Sequence, residues 1–240
     1  MAVMKFFYGT MGSGKSTHAL QIHYNLSSQG QRVLLLTQLD RSDGQVSSRL
    51  GVAARAEAVE GDTDLFELAR MTTPLDAVVC DEAQFYEPSQ VEQLARVVDE
   101  LDVDVFAFGL LTTFQGEMFR GSTRFLELAD VHVQLQVEAR CFCGGRATHN
   151  ARLIDGRQVY EGEVKVVGDT SNRSTNSVTY ELRCRKHWHE ARDIAETGQL
   201  VLGIDMSGLN VEEWNPFEDY YPVGRDTSGD RFEADETNVV

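Results

Sequence analysis

Residues 9–17 read GTMGSGKST, and the spacing G-x-x-x-x-G-K-[ST] falls on Gly9, Gly14, Lys15 and Ser16. Glycines at these positions let backbone N–H groups turn toward phosphate oxygens. The lysine offsets the charge of the terminal phosphates, and the hydroxyl reaches a magnesium ion. The run Gly9, Thr10, Met11, Gly12, Ser13, Gly14, Lys15, Ser16 and Thr17 is therefore expected to cradle the phosphates of ATP. Two adjacent acids, Asp81 and Glu82, follow the apolar run LDAVVC. Burying unpaired neighbouring carboxylates is costly, so something at the end of this strand must receive their charge. In P-loop proteins a second buried strand brings an acid to the magnesium beside the phosphates. Successive strand residues face opposite sides. One acid, Asp81, is expected to join Ser16 at the metal. The other, Glu82, is placed to take a proton from a hydroxyl attacking the γ-phosphate. Lys15 shares the catalytic assignment, and Gln84 is grouped with Asp81 on the nucleotide side. The plainer reading, in which Glu82 only ends the strand at the surface, stays open here.

The four cysteines are spaced rather than scattered. Cys141 and Cys143 lie in CFCGGR, and Cys184 and His187 in CRKHWH. One C-x-C and one C-x-x-H make a Cys₃His set, which suits tetrahedral zinc. With all four positions filled by protein the zinc would be structural. His189 competes for the fourth place, and buried thiols without metal are the simpler alternative. Cys80 lies inside the apolar run and reads as a packing residue.

The elements that must position these groups alternate between strand and helix. VMKFFYG, QRVLLLTQ, DAVVCDE, VDVFAFGL and DVHVQL read as strands. STHALQIHYNLSSQG, DLFELARM and SQVEQLARVVDELD read as helices, the last opened by Ser89 after Pro88. Residues 40–62 are polar and read as a loop. Continuous apolar strands between helices imply an α/β fold, a parallel sheet covered on both faces. This P-loop domain is expected over 1–137, and a small cysteine-bearing subdomain over 138–204, ending in the helix WHEARDIAETG. Residues 205–240 hold ten acids and two arginines, a balance of −8, and are expected to form an acidic, disordered tail.

With 240 residues, 42% hydrophobic and 25% charged, the chain has the make-up of a globular protein. A net charge of −16 speaks against a phosphate-backbone binder, so no nucleic-acid partner is expected. No apolar run reaches the length of a membrane span. MAVMKFFYG reads as carrying no leader, so the expectation is a cytoplasmic protein with no membrane partner.

In order along the chain, GTMGSGKST, VSSRLG, DEAQF, GLLTTFQGEMFRGS, CFCGGRA, GEVKVVG and CRKHW resemble the zinc-containing thymidine kinases of the cytosolic type. The resemblance covers residues 3 to 195. It implies a RecA-like P-loop sheet with a zinc-bound lasso subdomain. The implied reaction is transfer of the ATP γ-phosphate to the 5′-hydroxyl of thymidine, with deoxyuridine a further substrate. The family's general base falls on Glu82 and its aromatic partner on Phe85. Its base and sugar contacts fall on Met11, Leu110, Phe114 and Phe119, and its lasso on Val166, Val167 and Tyr180. A homotetramer with feedback inhibition by dTTP is implied as well. Taken by themselves, Phe85, Phe114, Phe119 and Tyr180 could equally be packing residues. The chain departs from the family in three places: the lasso VVGDTSNRSTNSVTY is longer, with Asp169 at the second glycine; Leu111 and Thr113 stand where many bacterial relatives have Arg and Asp; and the acidic tail is extra. The alternative function is a P-loop ATPase or nucleotide-sensing module with a structural zinc site and no nucleoside kinase activity.

Overall fold

The computed structural model describes residues 1–38, 45–47, 51, 53–135, 138–164 and 178–197. The chain divides into Met1–Gln199 and Leu200–Val240, and the second unit, with the expected tail, lies outside the described residues.

Strand β1 (Met4–Tyr8) runs through the glycine loop into α1 (Lys15–Ser28) and on to β2 (Val33–Thr37). Three short strands follow: β3 (Gln45–Ser47), β4 (Ala53–Arg55) and β5 (Glu57–Ala58). Then come α2 (Leu65–Met71), β6 (Ala77–Asp81), a 3₁₀ turn at Ala83–Phe85, α3 (Pro88–Leu101) and β7 (Asp104–Gly109). Next are α4 (Arg120–Leu128), β8 (Val131–Gln134), β9 (His149–Ile154), β10 (Arg157–Val159), β11 (Val178–Arg183) and α5 (Arg185–Thr197).

Six of these strands form one parallel sheet in the order β5-β2-β6-β7-β1-β8. The two-residue period of a strand sorts its side chains into two cores. Phe6, Val78 and Leu36 enter the one covered by α2, α3 and α4, with Leu65, Val91, Leu94 and Phe125. Phe7, Val79 and Leu35 enter the other, covered by Ala19 and Leu20 of α1. Burial on both faces is why β6 is a continuous apolar run. β1 and β6 point the same way with β7 between them, so the glycine loop and the Asp81–Glu82 pair emerge at one edge. That carboxyl edge is where open α/β sheets bind ligands.

Three segments differ from the sequence expectation. The polar stretch 40–62 contributes β5 to the sheet edge and a β3–β4 hairpin that buries Val46. Helix α3 starts at Pro88, not Ser89. Glu87 and Gln90 exchange capping hydrogen bonds around it, and proline suits the first helical position because it has no N–H to leave unpaired. Helix α4 is a further element, packed so closely that a Cβ on Gly121 would stand 2.5 Å from the Tyr86 carbonyl oxygen.

Strands β10, β9 and β11 form a separate antiparallel sheet. Ala151 and Leu153 on one face of β9 pack with Trp188 of α5. Asn150 and Arg152, on the other face, reach the parallel-sheet side of the molecule. The Met11 N–H donates to Asn150 Oδ1 (2.8 Å), and the Arg152 guanidinium lies over the Phe114 ring, 3.7 Å from its centroid.

Candidate active site and metal centre

In the glycine loop Gly12 and Gly14 take φ of 71° and 79°, a left-handed backbone that glycine adopts without strain. Gly9 also excludes a side chain, since a Cβ there would meet Ser13 Oγ at 2.5 Å. Gly14 precedes the first residue of α1, so the loop ends at the amino terminus of a fourteen-residue helix, where free N–H groups and the helix dipole favour an anion. The Lys15 ammonium is buried against the loop and donates to the carbonyls of Thr10 (2.8 Å) and Gly9 (3.3 Å).

Asp81 ends β6 and is 4% exposed. Burial, then the neighbouring Glu82 charge, pushes its carboxyl up to about 6, against the opposing pull of the Ser16 hydroxyl and the Lys15 ammonium. Phosphate loop and acid are thus one electrostatic unit. Ser16 and Asp81 are hard oxygen donors of the kind magnesium takes.

Glu82 leaves the strand rather than continuing its pleat, with φ of 51° in the left-handed region. A turn, not strand alternation, separates the two acids. Such a backbone at a non-glycine residue is uncommon and is held here by its surroundings. The Gln84 amide donates to Glu82 Oε2 (2.6 Å) through Nε2 and accepts from the Leu110 N–H (2.9 Å) through Oε1. Gly109 makes room for it, because a Cβ there would lie 3.0 Å from Gln84 Oε1. Gln84, assigned from sequence to the nucleotide, spends both ends of its amide on the carboxylate and the end of β7.

The aromatics fall into two groups: Phe85, close to the acids in sequence, with Phe119, and Phe114 with Tyr180, joined through Arg152. Phe85 meets Phe119 edge to face at 5.4 Å between centroids. Leu110, Phe114 and Phe119 are buried, and Met11, Phe85 and Tyr180 half-buried. Thr112 to Met118 form a tight hairpin, its turn at Gly116 lying under the Trp188 ring. The Trp188 indole donates to the Phe114 carbonyl (3.2 Å). Tyr180 pairs with Arg152 across β11 and β9. Val166, Val167 and the lengthened segment after them lie outside the described residues. A cavity of about 130 Å³ is lined by Gly9, Thr10, Leu111, His149 and Asn150, between the phosphate loop and the three-stranded sheet.

The cysteine spacing closes into one cluster. The ligand atoms of Cys141, Cys143, Cys184 and His187 all lie within 4.8 Å of one another. Cys143 Sγ and Cys184 Sγ are 3.9 Å apart, and His187 Nδ1 is 3.3 Å from Cys141 Sγ and 3.4 Å from Cys184 Sγ. Tetrahedral zinc with Zn–S bonds of about 2.3 Å requires sulfurs about 3.8 Å apart, so the donor set fits that ion. His189 instead packs its ring edgewise on Trp188. Cys80 is fully buried in β6, where burial pushes its thiol up to about 12.

Sequence reasoning missed Asn150, Arg152 and Trp188. The alternation in HNARLI ordinarily signals a solvent-facing polar edge, and only the docking of this sheet shows that Asn150 and Arg152 face the site.

The model of the family described as "Thymidine kinase" matches residues 2–188. A thymidine kinase of Streptomyces avermitilis is 50% identical over 211 residues, 86% of this chain and 97% of the relative. One from Streptomyces coelicolor is 47% identical with the same coverage. One from Salmonella typhimurium is 39% identical over 208 residues, 84% of this chain and 96% of its own length.

Proposed function

The chain belongs to the thymidine kinase family, and from that premise we propose that Glu82 is the base and Lys15 the phosphate-compensating residue of its phosphoryl transfer. The protein is an ATP-dependent phosphotransferase acting on thymidine. The observation that carries the residue assignment is Glu82 on its left-handed turn, tethered by Gln84 and adjoining the Asp81 that the phosphate loop engages.

The 5′-hydroxyl of thymidine gives its proton to the Glu82 carboxylate as its oxygen bonds to the γ-phosphorus of ATP. The bond from that phosphorus to the bridging oxygen breaks, and ADP leaves with the electron pair. Lys15 and the loop N–H groups of Gly9 to Thr17 offset the charge that develops, which is the main catalytic task in such a transfer. Ser16 and Asp81 would hold magnesium, which supplies further neutralisation of phosphate charge. Met11, Phe85, Leu110, Phe114, Phe119 and Tyr180, with Val166 and Val167, form the nucleoside pocket. A pyrimidine stacked on one such ring gains about 1–3 kcal/mol. Cys141, Cys143, Cys184 and His187 hold a structural zinc. Deoxyuridine as a second substrate, a homotetramer, feedback inhibition by dTTP, cytoplasmic placement and the lack of a nucleic-acid or membrane partner belong to the same reading. Among the described residues no helix is long and apolar enough to cross a membrane.

ATP consumption measured against a panel of nucleosides tests this. Thymidine-dependent ADP release, with thymidine monophosphate as product, is expected. Consumption that no nucleoside stimulates would favour the ATPase alternative, and dTTP titration with light scattering tests inhibition and assembly.

A further inference from the structure

Arg152 sits in the middle of β9 and is 3% exposed. A buried cation usually faces a carboxylate, because taking a charge out of water is costly. Among the described residues none lies within ion-pair distance of this one. Its Nε donates to the Tyr180 hydroxyl (2.8 Å), and its two terminal nitrogens donate to the carbonyls of Glu163 (2.7 Å) and Val164 (3.4 Å). The guanidinium carbon lies over one face of Phe114, 3.7 Å from the ring centroid.

These partners come from three separate stretches: the 112–118 hairpin, strand β11 and the chain at 163–164. Two of them, Phe114 and Tyr180, are residues of the nucleoside pocket, so a role for Arg152 there rests on the kinase reading. A packing role alone would be served as well by an apolar side chain of similar volume, without the desolvation cost. Only a planar fork can stack on one ring while donating in three directions; an ammonium cannot.

We infer that Arg152 is a positioning residue for the nucleoside, locking the Phe114 ring and the Tyr180 phenol into one fixed arrangement. Its hydrogen bond holds the Tyr180 hydroxyl in place as an acceptor. Its plane leaves the base at most the opposite face of Phe114. Arg152 does not reach the phosphate loop through any of these contacts, so its influence falls on thymidine and not on ATP.

The test is steady-state kinetics of the full-length Arg152→Met and Arg152→Lys proteins beside the parent, with zinc content and the ATP KM measured in parallel. Both variants are expected to raise the thymidine KM by about tenfold or more, with kcat changed by less than about threefold and the ATP KM and zinc unchanged. Lysine should fail to rescue. Should Arg152→Met not fold, Tyr180→Phe removes the phenol acceptor and keeps the ring, and is expected to raise the thymidine KM by about threefold. A parent that phosphorylates thymidine beside a folded Arg152→Met with the parental thymidine KM would overturn the role of Arg152 alone. Equal rises in the thymidine and ATP KM, full rescue by lysine, or a Tyr180→Phe that matches the parent when Arg152→Met does not fold, would overturn it too. A parent with no thymidine-dependent turnover removes the kinase reading and this inference together.

Discussion

At the scale of single residues the proposed site rests on two adjacent acids, Asp81 and Glu82, to which the proposal gives different work. Glu82→Gln keeps the shape and the Gln84 contact but cannot take a proton, so kcat should fall on the order of 10²–10⁴-fold while ATP and thymidine still bind. Rapid-quench measurement of product formation checks this, and an unchanged rate would remove Glu82 from the mechanism. Gln84→Ala leaves the carboxylate in place without its tether, and a smaller loss, about tenfold in kcat at unchanged ATP KM, is expected. The other acid is tested through stability. The Asp81 carboxyl titrates higher in the folded protein than in the unfolded chain, chiefly through burial. Its contribution is therefore fully present below the unfolded value of about 4 and is lost as pH rises through about 6. Above that, the folded metal-free protein carries an unfavourable buried charge. Asp81→Asn has no such charge, so in EDTA its Tm should gain on the parent between about pH 4.5 and pH 8, by several degrees at roughly 2–4 °C per kcal/mol. A Tm difference that does not grow with pH would show the carboxylate to be compensated. Both acids were legible in sequence because a buried apolar run that ends in two adjacent carboxylates demands a partner for their charge. The tether was not, since a glutamine two residues on looks the same whether it binds nucleotide or neighbour.

At the scale of elements, the parallel strands were legible from their unbroken apolar runs, and the helices α1, α2 and α3 from their spacing. The β3–β4 hairpin was hidden because three-residue strands carry too little periodicity to read. Helix α4 was hidden because its fit depends on Gly121 meeting the 3₁₀ turn, a contact between distant segments. The same holds for the link between the metal cluster and the pocket. His187, in contact with two of the thiols, is followed directly by Trp188, whose indole holds the Phe114 carbonyl and whose ring covers Gly116. A zinc held at the start of α5 would therefore fix the hairpin that carries Phe114. Cys184→Ser is expected to release the zinc, held at about one per chain in the parent, and to weaken thymidine binding more than ATP binding. Trp188→Phe retains a ring but no N–H, so zinc should stay while the thymidine KM rises by about threefold. Metal analysis and calorimetric binding of ATP and of thymidine separate these outcomes. Equal losses for ATP and thymidine would show that the cluster serves the whole fold and not the hairpin.

At the scale of the whole molecule the charge is the dominant feature, and it is distributed unevenly. Of the net −16, the segment from Asp205 to Val240 carries −8. The family match ends at residue 188, and every residue assigned here to phosphate, base, nucleoside or zinc precedes it. Composition sets what the remainder can contribute. Ten acids spread over those 36 residues repel one another, and that composition is the ground for expecting the segment to add little to a core. Four of its aromatic residues lie close together, Trp214, Phe217, Tyr220 and Tyr221, and are the feature that could give it a role in assembly, because such rings favour protein interfaces. Truncation after Gly208 separates these. If the charge is only solvated, the shortened chain keeps kcat, thymidine KM and zinc content, and its sedimentation coefficient changes only by the mass removed. That is the expected result, since every residue of the proposed site precedes the segment. Loss of the assembled state on truncation, with the kinetics intact, would assign the aromatics to a subunit interface. Loss of both would show that the site depends on an interface the tail completes.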